Sequence, residues 1–336
     1  MNRSLRQRLA RGLAPVLGAF ATFAAAATLA LVAAPVRAQV TLKMAHIYNP
    51  GNIWYETAEA YAKAVEAKSG GKVKIQIAAS GSTGDWPASI EGLKIGTNDI
   101  VLQSVGTLDR YNIVAGVEAY PYLVRDLDHF RKVYYGPVGN ELYDEIAKKT
   151  GFRIVGAGYR GMRHLTSSKP VRNLAEVKSI KIRVPPLKIY RLTWDTLGAG
   201  TVPMGVAELF TSLQQGVIDG QENPLEVIEM MKFNEVQKYV VETGHVSGAM
   251  TWIFFDSKFK SLPADVQKLL KDEGEAAMLA ATDRMSKMEG DIKTRLQGKG
   301  MQFIAVDRAA FAGALAPMSK EFPDLAPWVA KMQAVK

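Results

Sequence analysis

The segment IVGAGYRGMRHLTS, residues 154–167, combines two residue types that could do chemistry. Gly156, Gly158 and Gly161 follow the G-x-G-x-x-G spacing of a dinucleotide-binding turn, whose backbone N–H groups hold a pyrophosphate. Arg160 and Arg163 lie among these glycines, and guanidinium groups bind carboxylates and phosphates. The segment therefore has two interpretations: a nucleotide site in an enzyme, or part of a pocket for an acidic small molecule.

The glycine pattern lacks the surroundings that a dinucleotide turn needs. A strand must precede it and a helix must begin inside it, because the helix N-terminus holds the pyrophosphate. Residues 152–155 supply the strand, but the sequence after Gly161 is MRHLTSSKP, which is rich in β-branched, turn-forming and proline residues. This composition predicts a second extended segment and a loop. The sequence therefore disfavours a nucleotide cofactor.

Other catalytic and metal-binding patterns are missing from the sequence. The chain has no cysteine, which excludes disulfides, thiolate nucleophiles and cysteine-ligated metals. No serine lies in a G-x-S-x-G turn. The histidines are far apart and show no metal-ligand spacing: His46, His129, His164 and His245. We therefore predict no enzyme activity, no metal and no cofactor.

The first 38 residues have the features of a secretory signal peptide. Four arginines precede an apolar run from Val16 to about Val36, and Val36-Arg37-Ala38 supplies small residues for cleavage before Gln39. A membrane anchor is the alternative, since a run of roughly 20 apolar residues could span a bilayer. Five of the 42 basic residues and no acidic ones lie in this segment, so the remaining chain has a net charge of +4 rather than +9. This small excess gives no support for nucleic-acid binding.

Strands and helices alternate along the rest of the chain. Period-2 alternation predicts strands, and amphipathic spacing with Gly or Pro at the ends predicts helices. The predicted strands are 40–47, 72–77, 99–103, 152–157, 180–184 and 251–256. The predicted helices are 52–68, about 87–96, about 187–197, 207–215, 224–238, 264–297 (interrupted at Gly274 and Gly290) and most of 307–332. This order indicates an α/β fold with parallel strands covered by helices.

Two longer segments carry several motifs in a fixed order. GMRHLTSSKPVRNLAEVKSIKIRVPP occupies 161–186, and GAGTVPMGVAELFTSLQQGVIDGQENPLEVIEMMKFNEVQKYVVETGH occupies 198–245. Their G-x-R, K-I-R-V-P, P-M-x-x-x-E, L-Q-x-G-x-x-D-G-Q-E-N-P and E-V-Q-K-Y motifs resemble those of solute-binding proteins of the tripartite ATP-independent periplasmic (TRAP) transporters. The resemblance extends over the whole mature chain.

The resemblance implies a two-lobed α/β clamp that closes on one organic acid. Each lobe would be a sheet flanked by helices, with strands that cross between the lobes and a long helix that braces both. Lobe I would comprise 39–160 with about 247–285, and lobe II would comprise 161–246 with about 286–336. The resemblance also implies roles for three residues: Arg183 would form a bidentate salt bridge with the ligand carboxylate, Arg163 would give a second contact, and Asn223 would hydrogen-bond the ligand from a loop between helices.

The position of Arg183 fits this role on physical grounds. It lies at the end of a short apolar strand, before Pro185 and Pro186, where open α/β sheets place their ligands. Its planar guanidinium matches a carboxylate and stays charged at physiological pH. A structural salt bridge to Asp219 or Glu222 is the alternative.

Polar residues that follow the first strands are candidates for selecting the ligand from the other lobe. They are His46, Asn49, Asp85, Gln103 and Ser104. Trp54, Trp86 and Tyr190 could form walls of the pocket, and Val206 stands where some relatives have a bulkier aromatic residue.

The sequence therefore predicts a monomeric periplasmic protein that captures an organic anion and delivers it to a TRAP permease driven by an ion gradient. The polar candidates favour a sugar acid, such as a uronate or aldonate. C4-dicarboxylates, hydroxy or keto acids and sialic acid are alternatives, as is a protein that signals to a membrane sensor. No nucleic-acid partner is expected.

Overall fold

Alternating burial along the early strands shows how the sheet gains its apolar face. The computed structural model describes residues 39–336, so the predicted signal peptide lies outside the described residues. In the second strand Val73 and Ile75 are buried, whereas Lys74 and Gln76 are exposed. Successive side chains of a strand point to opposite faces, so this pattern places one face against the core.

Residues 39–336 contain nine strands that form one mixed sheet. They are β1 (Val40–Ala45), β2 (Val73–Ala78), β3 (Ile100–Ser104), β4 (Phe152–Ser167), β5 (Lys181–Val184), β6 (Gly200–Pro203), β7 (Gly220–Pro224), β8 (Tyr239–Phe255) and β9 (Gln302–Ile304). The strand order is β2-β1-β3-β8-β4-β7-β5-β6, with β9 paired to β8.

Twelve α-helices in the same residues flank this sheet. They are α1 (Ile53–Lys68), α2 (Trp86–Ile95), α3 (Leu127–Tyr134), α4 (Pro137–Thr150), α5 (Lys188–Leu197), α6 (Leu209–Gln214), α7 (Leu225–Met230), α8 (Asp256–Ser261), α9 (Ala264–Gly298), α10 (Arg308–Ala314), α11 (Met318–Glu321) and α12 (Ala326–Ala334). No helix of the described region is long and apolar enough to cross a membrane.

Two long antiparallel strands, β4 and β8, join the two halves of the sheet. The first part of β4 pairs with the end of β8, which also pairs with β3. The last part of β4 pairs with β7 and with the beginning of β8. Each strand therefore passes from one α/β half into the other, which confirms the predicted clamp with crossing strands.

The long helix α9 packs against β4 and α1. Trp252 Nε1 donates a 3.0 Å hydrogen bond to the carbonyl of Gly274, and the Tyr61 hydroxyl donates one of 2.9 Å to the carbonyl of Leu270. The prediction of a long helix is confirmed, but Gly274 and Gly290 do not interrupt it. A Cβ on Gly274 would lie 2.9 Å from Trp252, so glycine there allows close approach to β8.

The glycine pattern at 156–161 lies inside β4 rather than at a strand-to-helix turn. Gly156 and Gly161 have φ of +64° and +88°, and the pairing register of β4 with β8 shifts beside them. A Cβ on Gly158 would lie 2.9 Å from the ring of Trp54. The glycines therefore serve bulges and close packing, and no helix begins within the motif.

One predicted helix was too long, and two helices were not predicted. The helix after Pro224 ends at Met230 rather than Lys238, because Lys232 has φ of +54° and a short 3₁₀ turn follows. The helices α3 and α4, over 127–150, were not predicted. Asp126 caps α3 by accepting a bond from the backbone N–H of His129, and Pro137 begins α4.

Candidate functional site

A cavity of about 450 Å³ lies among residues from both halves of the sheet. Volumes of this size are typical of small-molecule sites. Its lining comprises Ile47, Asn49, Asp85, Trp86, Pro87, Ile90, Ser104, Thr107, Arg110, Arg160, Arg163, Arg183, Pro185, Pro186, Leu187, Tyr190, Gly205, Val206, Asn223, Val227, Met230 and Met231. Three buried arginines dominate its charge.

Arg183 presents a charge that no carboxylate of the described residues neutralises directly. It lies on β5, whose parallel neighbours are β6 and β7, and its side chain is 4% exposed. Nε donates a 2.9 Å hydrogen bond to the carbonyl of Met204, and within residues 39–336 Arg183 takes part in no salt bridge. Burial lowers the pKa of Arg183 to about 10, so the group stays charged at neutral pH.

Arg163 also lines the cavity, but it already has a carboxylate partner. Its Nε bonds Oε2 of Glu222, and its Nη2 donates to Oε1 at 2.7 Å. His245 Nε2 lies 3.0 Å from the same carboxylate. Burial would raise the pKa of Glu222, but Arg163 and His245 outweigh it and hold that pKa at about 2. This buried ion pair therefore belongs to Arg163, and the alternative pairing of Glu222 with Arg183 does not occur.

Asn223 lies beside these arginines because of strand register. It is in β7 and pairs with His164 of β4, next to Arg163. The sequence placed Asn223 in a loop, and the structure corrects this to a strand. Its Nδ2 donates a 2.6 Å hydrogen bond to Oε1 of Gln221. Asp219, the other proposed partner of Arg183, pairs instead with Lys169 at 2.7 Å.

Arg160 is the third buried arginine of the cavity and was not among the predicted site residues. Its Nε donates a 3.0 Å hydrogen bond to Glu226, and its guanidinium lies 5.4 Å from the centre of the Trp86 ring. Glu226 also accepts bonds from Asn52 and Trp54. The sequence did carry a signal for Arg160, because this arginine lies among the glycines of residues 154–167 and guanidinium groups bind anions.

Three of the five predicted polar candidates line the cavity: Asn49, Asp85 and Ser104. Asp85 caps α2 by accepting a bond from the N–H of Ala88, and Ser104 donates one of 2.8 Å to the buried Glu118. Both side chains therefore also have structural partners.

His46 and Gln103 are buried but are not part of the lining. Gln103 Nε2 donates a 2.9 Å bond to the carbonyl of Trp86, and His46 Nδ1 accepts one from the N–H of Tyr48. Burial lowers the pKa of His46 to about 4. Within the described residues, no group of three or more His, Asp or Glu residues is placed to hold a metal.

The walls of the cavity are largely apolar. Trp86, Tyr190 and Val206 line it, whereas Trp54 is completely buried in the core. Sequence reasoning missed most of the other apolar lining because these residues carry no motif: Ile47, Ile90, Leu187, Val227, Met230 and Met231.

The fold and the site define a class of protein. An α/β clamp whose two halves share crossing strands, with a buried free cation in a cavity lined from both, has the architecture of an extracytoplasmic solute-binding protein. The model of "bacterial extracellular solute-binding protein, family 7" matches residues 44–324. The chain belongs to this family, the solute-binding proteins of TRAP transporters. Outside the cytoplasm, members of the family bind the substrates that these transporters carry.

Relatives with known structures or curated names are similar along most of their length. A Vibrio cholerae sialic acid-binding periplasmic protein is 31% identical over 291 residues, which cover 86% of this chain and 90% of the relative. A solved structure of a TRAP solute-binding protein from Bordetella bronchiseptica, with density interpreted as pantoate, matches with a TM-score of 0.84 and 34% identity. The match covers 89% of this chain and 100% of the Bordetella chain.

A second solved structure comes from Roseobacter denitrificans and contains L-galactonate. It has a TM-score of 0.82 and 31% identity, with 88% of this chain and 99% of that chain covered. The chain is thus similar to proteins whose structures contain different organic acids.

Proposed function

We propose that this chain captures a small organic acid in the periplasm and delivers it to a TRAP permease driven by an ion gradient. Arg183 carries the proposal: it is buried at the cavity and charged, and no described carboxylate pairs with it. A buried unpaired charge is costly, so a ligand carboxylate that pairs with it gains both Coulomb energy and hydrogen bonds. Arg163 and Asn223 are proposed as further ligand contacts.

Two ligand classes have support within this function. The first is a sugar acid, which the sequence favours. The solved structure of the relative from Roseobacter denitrificans contains L-galactonate, and that of a relative from Polaromonas contains D-erythronate. A hydroxy acid with apolar substituents is the second class, supported by the Bordetella relative interpreted with pantoate and by the apolar cavity walls.

Closure of the clamp is the proposed mechanism of capture. Lobe I, residues 39–160 with about 247–285, would contribute Asn49, Asp85 and Ser104 to the cavity. Lobe II, residues 161–246 with about 286–336, would contribute Arg183. A ligand that contacts both lobes binds the closed state more tightly, so it shifts the population towards closure.

The proposed partners are the organic anion and the permease subunits. We propose a monomer without nucleic-acid partner, cofactor or metal, and without catalytic activity. A neighbouring gene for a sensor kinase, instead of genes for permease subunits, would favour signalling over transport.

A thermal-shift screen tests the proposal. The mature protein is heated with uronates, aldonates, C4-dicarboxylates, hydroxy and keto acids and sialic acid, alongside Arg183→Ala. A ligand at 100 times its Kd adds about 2.7 kcal/mol of stability, which raises Tm by several degrees.

The matched control is Arg191→Ala, which removes an exposed arginine of α5 whose ion pair within residues 39–336 is with Asp195. We expect one acid to stabilise the wild type and the control but not a folded Arg183→Ala. Equal stabilisation of Arg183→Ala, or no response to any acid, would refute carboxylate capture by Arg183.

A further inference from the structure

Glu226 links the two halves of the sheet. It lies in α7, which follows β7 directly, whereas Asn52 and Trp54 lie at the beginning of α1, which follows β1. Asn52 Nδ2 and Trp54 Nε1 each donate a 3.3 Å hydrogen bond to the Glu226 carboxylate. Because β1 and β7 belong to opposite halves of the sheet, these two bonds can exist only while the halves lie close together.

The same carboxylate also binds the point where β4 passes between the halves. Arg160 Nε donates a 3.0 Å hydrogen bond to Glu226, and Arg160 lies in the register shift of β4 between Tyr159 and Met162. Glu226 and Arg160 are 6% and 3% exposed, and Trp54 is completely buried. A carboxylate withdrawn from water in this way needs partners, because the desolvation of its charge is otherwise uncompensated.

The orientation of the Asn52 amide is fixed by the helix that it caps. Its Oδ1 accepts a 2.8 Å hydrogen bond from the backbone N–H of Trp54, as N-cap residues do. Its Nδ2 therefore faces Glu226, and the positive end of the α1 dipole lies on the same side. The donor thus belongs to a rigid element of the first half of the sheet.

The contact also positions one wall of the cavity. Val227, Met230 and Met231 line the cavity from α7 and the residue after it, and Val227 follows Glu226 in the chain. Asn52 Nδ2 lies 3.3 Å from Sδ of Met230. In the part of the chain that the structure describes, neither Asn52 nor Glu226 lines the cavity itself. Their effect on a bound acid must therefore act through the position of α7.

We propose that Glu226 is a positioning residue of the clamp, whose hydrogen bonds to Asn52 and Trp54 hold α7 against α1 in the closed state. Because these residues stand outside the cavity, the contact stabilises closure around any acid and does not select among acids. The inference rests on the proposed function, since it takes closure of the clamp as the mechanism of capture.

Asn52→Asp removes the contact and keeps the cap of α1. Asp is as good an N-cap as Asn, so the bond from the backbone N–H of Trp54 remains, but a carboxylate replaces the amide donor that faces Glu226. The matched control is Asn173→Asp. Asn173 accepts a bond from the N–H of Glu176 and donates one of 3.3 Å to its carboxylate, but both residues lie in one exposed turn.

Distances between two spin labels report closure directly. The chain has no cysteine, so Lys74→Cys and Gln215→Cys, both exposed and one in each half, give two unique attachment sites. Pulsed double electron–electron resonance on the labelled mature protein measures the closed and open populations, without ligand and with L-galactonate, D-erythronate or pantoate.

Like charges that face each other across an interface are strongly unfavourable, so Asn52→Asp should lower the ratio of closed to open molecules at least about tenfold. Asn173→Asp should leave this ratio unchanged. Asn52→Asp combined with Glu226→Gln again places an amide donor opposite a carboxylate, so the double variant should return the populations towards those of the wild type.

Titration calorimetry with the same three acids distinguishes positioning from direct contact with the ligand. An acid that binds only the closed state loses apparent affinity as the closed fraction falls. Asn52→Asp should therefore raise the Kd by one common factor for every acid that the wild type binds.

The outcomes separate the inference from the function beneath it. Distance distributions of Asn52→Asp that match those of the wild type, with and without the acids, would overturn the inference and leave carboxylate capture intact. A Kd that rises for one acid alone, or no recovery in the double variant, would also overturn it. If no acid binds the wild type, carboxylate capture fails and the ligand-free distributions decide the inference: a shift to longer distances in Asn52→Asp supports it, and identical distributions overturn it.

Discussion

Replacing Glu222 with glutamine should show how much the buried ion pair beneath the cavity stabilises the fold. Glu222 is completely buried and accepts hydrogen bonds from Nε and Nη2 of Arg163, with His245 at 3.0 Å. In Glu222→Gln the guanidinium remains buried without a counter-charge, and one of its N–H groups faces an amide N–H. Removal of one partner of a buried pair typically costs about 3–5 kcal/mol.

The pKa of Glu222 gives the same magnitude by a different route. A carboxyl pKa that falls from 4.5 when unfolded to about 2 when folded stabilises the fold by about 3 kcal/mol at neutral pH. Because the folded pKa is the lower one, this stability is present above pH 4.5 and is lost as the pH falls towards 2. The difference between wild type and Glu222→Gln should therefore shrink over that range.

Glu229→Gln is the matched control for this substitution. Glu229 accepts the same two-bond contact from Nε and Nη2 of Arg295, at 2.8 and 2.7 Å, but that arginine is 48% exposed. Exposed ion pairs contribute less than about 1 kcal/mol. Urea denaturation at pH 7 measures both variants. If Glu222→Gln costs no more than Glu229→Gln, the reasoning on the buried pair is refuted.

Three further predictions concern pH, packing and charge. The pKa of His46 is about 4 in the folded protein and 6.5 in the unfolded chain, so the stability linked to His46 is fully present above pH 6.5. Between pH 6.5 and pH 4 the free energy of unfolding should fall by about 1.4 kcal/mol for each pH unit. Denaturation of His46→Asn should show a flatter slope there, and an unchanged slope would contradict this. Gly274→Ala should destabilise by about 1–3 kcal/mol through contact with Trp252, whereas Gly290→Ala on the same helix should stabilise by up to about 1 kcal/mol in the same denaturation assay. Equal effects would contradict the packing argument. Glu226→Gln leaves the charge of Arg160 without its carboxylate partner, so titration calorimetry should show L-malate, which has two carboxylates, gaining affinity relative to L-lactate, which has one, and an unchanged ratio would refute the charge argument.

Local pattern predicted the elements that have one buried face. The alternation in β1 and β2 and the caps of α1 and α2 depend on neighbouring residues, and these elements lie close to where they were predicted. The helix after Pro224 failed because its end depends on the left-handed conformation of Lys232, which no pattern marks. The length of β4 was underestimated because its glycine bulges look like turns in the sequence.

The sequence located the arginines of the site but not their partners. Motif order pointed to Arg163 and Arg183, and both line the cavity. Which of them takes Glu222 depends on the register between β4 and β7, which places Leu165 opposite Glu222 and brings Arg163 to its carboxylate. Long-range pairing of this kind is not encoded in local spacing. The same limit applies to the apolar walls, which come from segments far apart in the chain.

A crystal structure of the mature protein with the acid that gives the largest thermal shift tests the central claim most directly. The account predicts that both carboxylate oxygens lie within about 3 Å of the Arg183 guanidinium, with Arg163 still paired to Glu222. A carboxylate bound elsewhere in the cavity, with Arg183 bonded only to protein groups, would contradict it.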